Sequence, residues 1–152
     1  MALVDDDARV AAGLVSGGDV GVVVVRPGCV YGDRGGLYGM MIQSAIEKRS
    51  ISLVGDGKNC WASVYLDDLA QLYRLIAEKS PRKAVFHATD GAAEPLNEVA
   101  ESLLDAAGGG AVELQPLEEA RKKLGPFAEA LALDQRVSSD KARRELGWKP
   151  TM

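Results

Sequence analysis

Adjacent carboxylates at Asp67 and Asp68, one histidine at His87, two cysteines at Cys29 and Cys60, and a glycine-rich run behind a string of valines are the reactive features of this sequence. Two neighbouring carboxylates can divide general acid and general base work between them. These two stand where a strand pattern, ASVY, gives way to a helical one, LDDLAQLY, which predicts a structural role instead. A side-chain oxygen at a helix start accepts a backbone N–H that has no partner inside the helix, and its negative charge suits the helix dipole. His87 closes the short run AVFHAT and is expected as a strand histidine satisfied by its surroundings, not as a proton shuttle. Cys29 and Cys60 lie far apart, and no CxxC or HExxH spacing accompanies them. No metal site is therefore expected, and the thiols read as free cysteines of a reducing cytoplasm.

In VVVVRPGCVYGDRGG, residues 22–36, a β-branched stretch without polar alternation predicts a strand buried on both faces, as in a parallel sheet. Pro27 ends the ladder. Gly28 lets the backbone come close to a ligand at the carboxyl edge of such a sheet, where open α/β folds bind their ligands.

Such an edge needs a sheet and helices to hold it. Residues 5–16 carry Ala8, Ala11, Ala12 and Val15 at helical spacing, after acidic residues that suit a helix start and before Gly17 and Gly18. Beyond the glycine loop, Leu37, Met40, Met41, Ser44 and Ala45 form the stripe of an amphipathic helix. ISLVGDGKN predicts a short strand and a Gly-Asp-Gly turn. Leu69, Leu72, Tyr73 and Ile76 continue from the two aspartates as a helical stripe that stops at Pro81, and KAVFHATDG is a further strand and turn. Pro95 sits where a helix can begin, with Leu96, Val99, Ala100, Leu103 and Leu104 as its apolar face and three glycines behind it. AVELQP predicts one more strand, LEEARKKLG and PFAEALAL short helices, and SSDKARRELGWKP a helix between a serine cap and a Gly/Pro stop. This order argues for a single domain over residues 1–152, of α/β class, with a mainly parallel sheet.

With 47% hydrophobic and 26% charged residues, the composition is that of a folded globular protein. The net charge is only −4, and the clusters RKK at 121–123 and KARRELGWK at 141–149 read as solvated helix faces, so nucleic acid is not an expected partner. Arg26 and Pro27 break the longest apolar stretch well short of the roughly 18 residues a membrane span needs. The acidic start MALVDDDARV lacks the basic region of a secretory signal, so a cytoplasmic protein without a membrane partner is expected.

VVVVRPGCVYG, WASVYLDDLAQLY, FHATDG and DQRVSSDKARRELGWKP stand in the order, and at about the spacing, found in the C-terminal half of extended short-chain dehydrogenases/reductases. The chain resembles this NAD-dependent epimerase/dehydratase family from about Asp5 to Pro150. The resemblance implies a partial Rossmann-like sheet plus a small C-terminal substrate lobe, without the N-terminal half that binds NAD(P). It places Pro27, Gly28, Cys29 and Val30 beside the nicotinamide if a cofactor half is supplied, and Tyr31, Tyr65 and Arg136 on the substrate side. Tyr65 stands where relatives often have histidine or tyrosine, a half-buried strand residue being the alternative. Arg136, followed by Ser138 and Ser139, is near the substrate entrance in the family; it meets an anionic ligand there or is a surface arginine ahead of a serine cap. Cys29 replaces the asparagine of many sugar-nucleotide enzymes, and Cys60 and Trp61 stand where many relatives grip a diphosphate with arginine, which argues against a nucleotide sugar.

Two family motifs are not found. Such enzymes hold the cofactor pyrophosphate on a GxxGxxG loop after the first strand; here none follows a strand, and Gly32, Gly35, Gly36 and Gly39 look like a substrate-side loop. The family's proton-transfer pair, YxxxK, uses a lysine to lower the pKa of a tyrosine, whereas Tyr31, Tyr38, Tyr65 and Tyr73 are followed at i+4 by Gly35, Ile42, Leu69 and Ala77. A truncated enzyme is therefore expected, with no catalytic residue of its own, no cofactor bound by this chain alone, and no turnover until a separate chain supplies both motifs. Half of a doubly wound sheet exposes a strand edge and apolar helix faces, so the expected partner is a second copy in a homo-oligomer or the missing N-terminal half, with a small molecule as ligand. The other reading is a stand-alone α/β domain, not an enzyme, that serves oligomeric assembly or small-ligand binding.

Overall fold

Valines build the first strand and a glycine moves the chain sideways out of it. The structure, a computed structural model, describes residues 21–91 and 93–151, so the helix expected at 5–16 lies outside the described residues. Strand β1 (Val23–Pro27) runs parallel to β5 (Ala84–Ala88), with Val23 opposite Ala84 and Pro27 opposite Ala88. The chain then steps across to a second parallel pairing, of β2 (Cys29–Tyr31) with β4 (Ser63–Tyr65). Gly28 makes the step: its N–H donates to Ala88 O at 2.9 Å, and the next N–H, that of Cys29, donates to Ala62 O at 2.6 Å. A Cβ on residue 28 would stand 2.3 Å from Ala62 O, so the close approach that demands glycine is to another strand's backbone. The third pairing, β3 (Ser50–Val54) with β6 (Ala111–Gln115), is parallel as well, in keeping with the expected α/β class.

Helix α1 (Gly36–Lys48) leaves the glycine loop, α2 (Leu66–Lys79) follows β4, and α3 (Leu96–Ala106) lies between β5 and β6. Helices α4 (Leu117–Leu124), α5 (Phe127–Ala132) and α6 (Asp140–Leu146) come last. Their apolar faces build two main cores. Met41 and Ala45 of α1 and Leu96, Ala100 and Leu104 of α3 pack with Ile51 and Leu53 of β3. Leu69 and Leu72 of α2, Ala142 and Leu146 of α6, and Trp148 close over Val64 of β4 and Phe86 of β5. A smaller cluster of Val54, Ala120 and Ala128 fixes α4 and α5.

Several expectations are revised. Strand β1 is half-buried, not buried on both faces: Val23 and Val25 pack on the core that holds Phe86, and none of its five residues is fully buried. The segment after Pro27 is not yet loop: its backbone groups find β4 and form β2. Met40 and Tyr73, 68% and 51% exposed, fall outside the core-facing stripes, which are narrower than the spacing predicts. Neither aspartate caps α2: both lie in its first turn, where charge suits the dipole, but no side-chain cap bond closes that end. Asp68 is buried, and its carboxylate accepts the N–H and hydroxyl of Thr151 at 3.0 and 3.1 Å, while the Trp148 indole N–H donates to Asp68 O at 2.8 Å. The serine cap of α6 is divided. The Ser139 hydroxyl donates to Thr89 O at 2.8 Å, and Ser138 Oγ accepts the Asp140 N–H at 3.1 Å.

Candidate functional site

Strand alternation sorts the segment behind Gly28. Val30 packs inward against the core that holds Val64, which leaves Cys29 and Tyr31 on the other face. The parallel register sets Ser63 beside Cys29 and Tyr65 beside Tyr31. On this face opens a cleft of about 200 Å³, lined by Tyr31 and Ser63 from the strands, Tyr38 from α1, Val99 from α3 and Trp61 just before β4. Asp90, two residues past the carboxyl end of β5, and Glu94 complete it.

The cleft is an aromatic box. The ring centroids of Tyr31 and Tyr38 are 5.7 Å apart at 70°, those of Tyr38 and Trp61 5.8 Å apart at 76°, and Tyr65 backs Tyr31 at 5.6 Å. Hydrogen bonds lock these rings. Ser63 Oγ lies 3.2 Å from Trp61 O and 2.7 Å from the Tyr38 hydroxyl; the serine's one proton goes to the carbonyl, so Tyr38 donates to Ser63. The Trp61 indole N–H donates to Leu131 O at 3.0 Å. The Tyr31 hydroxyl donates to the Asp90 carboxylate at 3.4 Å. Burial, and then the Asp90 charge, push the Tyr31 phenol up to about 12, the opposite of what a general base needs near neutral pH. Burial likewise raises the Tyr38 phenol and the Cys29 thiol, which keeps both protonated.

Two further clefts adjoin. Trp61 is also a wall of the second, about 240 Å³, whose lining includes Pro27, Gly28, Cys29, Leu37 and Phe127. The third, about 370 Å³, is basic, with Arg136, Arg143, Ser138 and Ser139. There Arg136 is tethered: Nε lies 3.2 Å from Asp134 Oδ2 and Nη2 lies 3.2 Å from Cys60 Sγ. Arg143 donates to Asp90 O at 2.7 Å and to Ser139 Oγ at 3.1 Å. Asp90 and Glu94 line the aromatic cleft, whereas Gly91 and Ala93 line the basic one.

The residues expected from sequence are thus distributed over three places. Tyr31 and Tyr65 come together in the aromatic box, Pro27, Gly28 and Cys29 share the second cleft, Val30 joins the core, and Arg136 faces the third cleft. His87, opposite Arg26 in the β1–β5 ladder, is half-buried; burial, Arg26 and Lys141 lower its pKa. Sequence reasoning missed Tyr38, Ser63, Asp90, Glu94 and Val99 as lining residues. For Asp90 a signal exists: it stands in ATDG directly behind a parallel strand, at the edge where such sheets bind ligands. Among the described residues, no three His, Cys, Asp or Glu side chains gather as they would to hold a metal, and no helix is long and apolar enough to cross a membrane.

Comparison with known proteins places this geometry. The sequence profile of the NAD dependent epimerase/dehydratase family matches residues 9–88. The chain is 31% identical over 116 residues to the uncharacterized protein C2A9.02 of Schizosaccharomyces pombe, covering 74% of this chain and 38% of the relative. It is 32% identical over 97 residues to the uncharacterized protein YLL056C of Saccharomyces cerevisiae, covering 64% and 32%. It therefore spans about a third of the length of these curated relatives. Among solved structures, it is similar to the dTDP-glucose 4,6-dehydratase DesIV of Streptomyces venezuelae with NAD and TYD bound, with a TM-score of 0.77, 20% identity and coverage of 97% of this chain and 44% of that one. The human epimerase family protein SDR39U1 with NADPH gives a TM-score of 0.78 at 23% identity, over 93% and 48%. At these identities the likeness establishes the fold, a Rossmann-like α/β arrangement of the short-chain dehydrogenase type.

Proposed function

The chain belongs to the NAD-dependent epimerase/dehydratase family, and from that premise we propose that it is the C-terminal, substrate-lobe part of an NAD(P)-dependent epimerase, dehydratase or reductase, inactive on its own. The observation that carries this reading is the pair of clefts sharing Trp61: one is lined by the end of the strand that the family sets beside its cofactor, the other by Tyr31 at the end of β2. Open α/β sheets take ligands at the carboxyl ends of their strands, and β1, β2 and β5 all end here. Tyr65 supports the box from behind Tyr31, and Arg136 borders the neighbouring basic cleft.

NAD(P) fits in part. The second cleft has the size and apolar lining for one flat ring between Pro27–Cys29 and Phe127. In the glycine loop and the helix turn behind it, two N–H groups are already used within the chain and are not available to a pyrophosphate, Gly35 to Gly32 O at 3.0 Å and Gly39 to Gly35 O at 3.2 Å. When bound, nicotinamide supplies hydride transfer; the chain's part is to shape the ring site and to seat the substrate against Tyr31, Tyr38 and Trp61. No described tyrosine is placed for proton transfer, since Tyr31 is held protonated and the sequence holds no YxxxK.

The family's missing N-terminal half is proposed to supply the two motifs, and a cytoplasmic location is proposed for the whole. Titration of the pure chain with NADH, followed by nicotinamide fluorescence, tests the proposal: negligible binding is expected, and tight one-to-one binding overturns it. Exposed Ile42 and Ile46, one turn apart on α1 and 42% and 63% accessible, favour a second reading, an assembly domain that buries this face in a homo-oligomer. Light scattering separates the two readings, because a monomer in solution removes the second.

A further inference from the structure

The aromatic cleft carries information about the substrate that the family assignment does not. We infer that it takes a compact, uncharged alcohol with a flat apolar face, and rejects phosphorylated or carboxylated compounds. The inference rests on the reading above that this cleft is the substrate side.

Size comes first. A cavity of about 150 Å³ holds benzene, so the 200 Å³ here seats one ring with a small substituent between its walls. Shape agrees: the Tyr31, Tyr38 and Trp61 rings meet edge to face, so a flat ligand stacks on one wall and meets the edge of the next.

Charge then selects. Anion sites are built from guanidinium forks, ammonium groups or convergent backbone N–H groups. Among the described residues that line this cleft there is no lysine, arginine or histidine; the ionisable acids there are Asp90 and Glu94. Arg136 and Arg143 line the adjoining cleft instead. The available hydroxyls do not compensate. Tyr38 gives its proton to Ser63, Ser63 gives its own to Trp61 O, and Tyr31 gives its own to Asp90, so each offers an incoming ligand a lone pair before it offers a proton. Lone pairs receive the O–H of an alcohol and repel a carboxylate.

The test uses two probes of one shape and different charge, benzyl alcohol and benzoate, titrated into the full chain with tryptophan fluorescence as readout. Trp61 lines the cleft, whereas Trp148, fully buried in the other core, gives a constant background. Benzyl alcohol is expected to bind at least tenfold more tightly than benzoate. Glu94→Gln, which removes one of the two carboxylates, should narrow that ratio by tightening benzoate, and Val99→Trp, which fills the cleft from α3, should abolish the alcohol response. Equal or tighter binding of benzoate, absence of binding by both probes, or a response that survives Val99→Trp overturns the inference. None of these outcomes involves a cofactor, so the NADH titration judges the family-level proposal separately.

Discussion

The hydroxyls of Tyr38 and Ser63 meet 2.7 Å apart, tying α1 to the start of β4 and closing a chain of hydrogen bonds that ends on the Trp61 carbonyl. The bond is the hinge pin of the aromatic cleft, since both residues line it. Tyr38→Phe and Ser63→Ala should each cost about 1 kcal/mol of folding stability. Because both remove the same bond, the double variant should cost clearly less than the sum of the two. Urea denaturation of the four chains measures the coupling, and strict additivity would show that the bond is not formed in solution.

Gly28 is the point where the chain leaves β5 for β4. Gly28→Ala drives a Cβ to 2.3 Å from a backbone oxygen that no rotamer change can move, and should cost about 3 kcal/mol. Gly35→Ala is the control from the same glycine-rich run: its φ is −94° and its nearest new contact is at 3.7 Å, so the melting temperature should barely move. Thermal melts of the two variants should diverge accordingly.

Local pattern accounts for what is legible in this sequence. A β-branched run makes β1, a 3.6-residue stripe places Met41 and Ala45 inward, and strand alternation with the parallel register puts Tyr65 beside Tyr31. What escapes is decided by partners distant in the chain. Three residues after Gly28 become a strand only because β4 lies alongside. Asp68 looks like a capping residue until Thr151, eighty-three positions later, arrives to donate to it. Trp61 and the loop that carries Asp90 and Glu94 belong to separate segments and share a cleft only once α1 and α3 have packed on β3.

The Asp68 latch holds the C-terminal segment to α2. Asp68→Ala removes the acceptor of both Thr151 bonds at a buried position and should cost about 2 to 3 kcal/mol, as charge-assisted hydrogen bonds do. Thr151→Val deletes the hydroxyl donor but keeps the N–H, and should cost about 1 kcal/mol. Amide hydrogen exchange reports the latch directly: the Thr151 N–H should exchange faster in Asp68→Ala and stay protected in Thr151→Val.

His87 makes stability fall with acid. Burial, with Arg26 and Lys141 nearby, holds its pKa below the ordinary 6.5, so the unfolded chain takes up this proton more readily than the folded one. The stabilisation is full above pH 6.5 and is lost as pH falls through the lowered folded value. His87→Gln removes the titrating group, so the denaturation midpoint of the variant should vary less with pH than that of the parent below 6.5; identical slopes would assign the acid sensitivity elsewhere.

Tyr31 acts at the other end of the scale. Its phenol is raised from 10.0 to about 12, so the folded chain keeps a proton that the unfolded chain releases first. Its contribution to stability is complete below pH 10 and is lost between pH 10 and 12. Phenolate absorbance should show an ionisation near pH 12 that Tyr31→Phe removes. Asp90→Asn should shift that step only part of the way back, because burial raises the phenol more than the neighbouring carboxylate does. A full return to the ordinary value would make Asp90 the dominant cause and the cleft wetter than its aromatic walls imply.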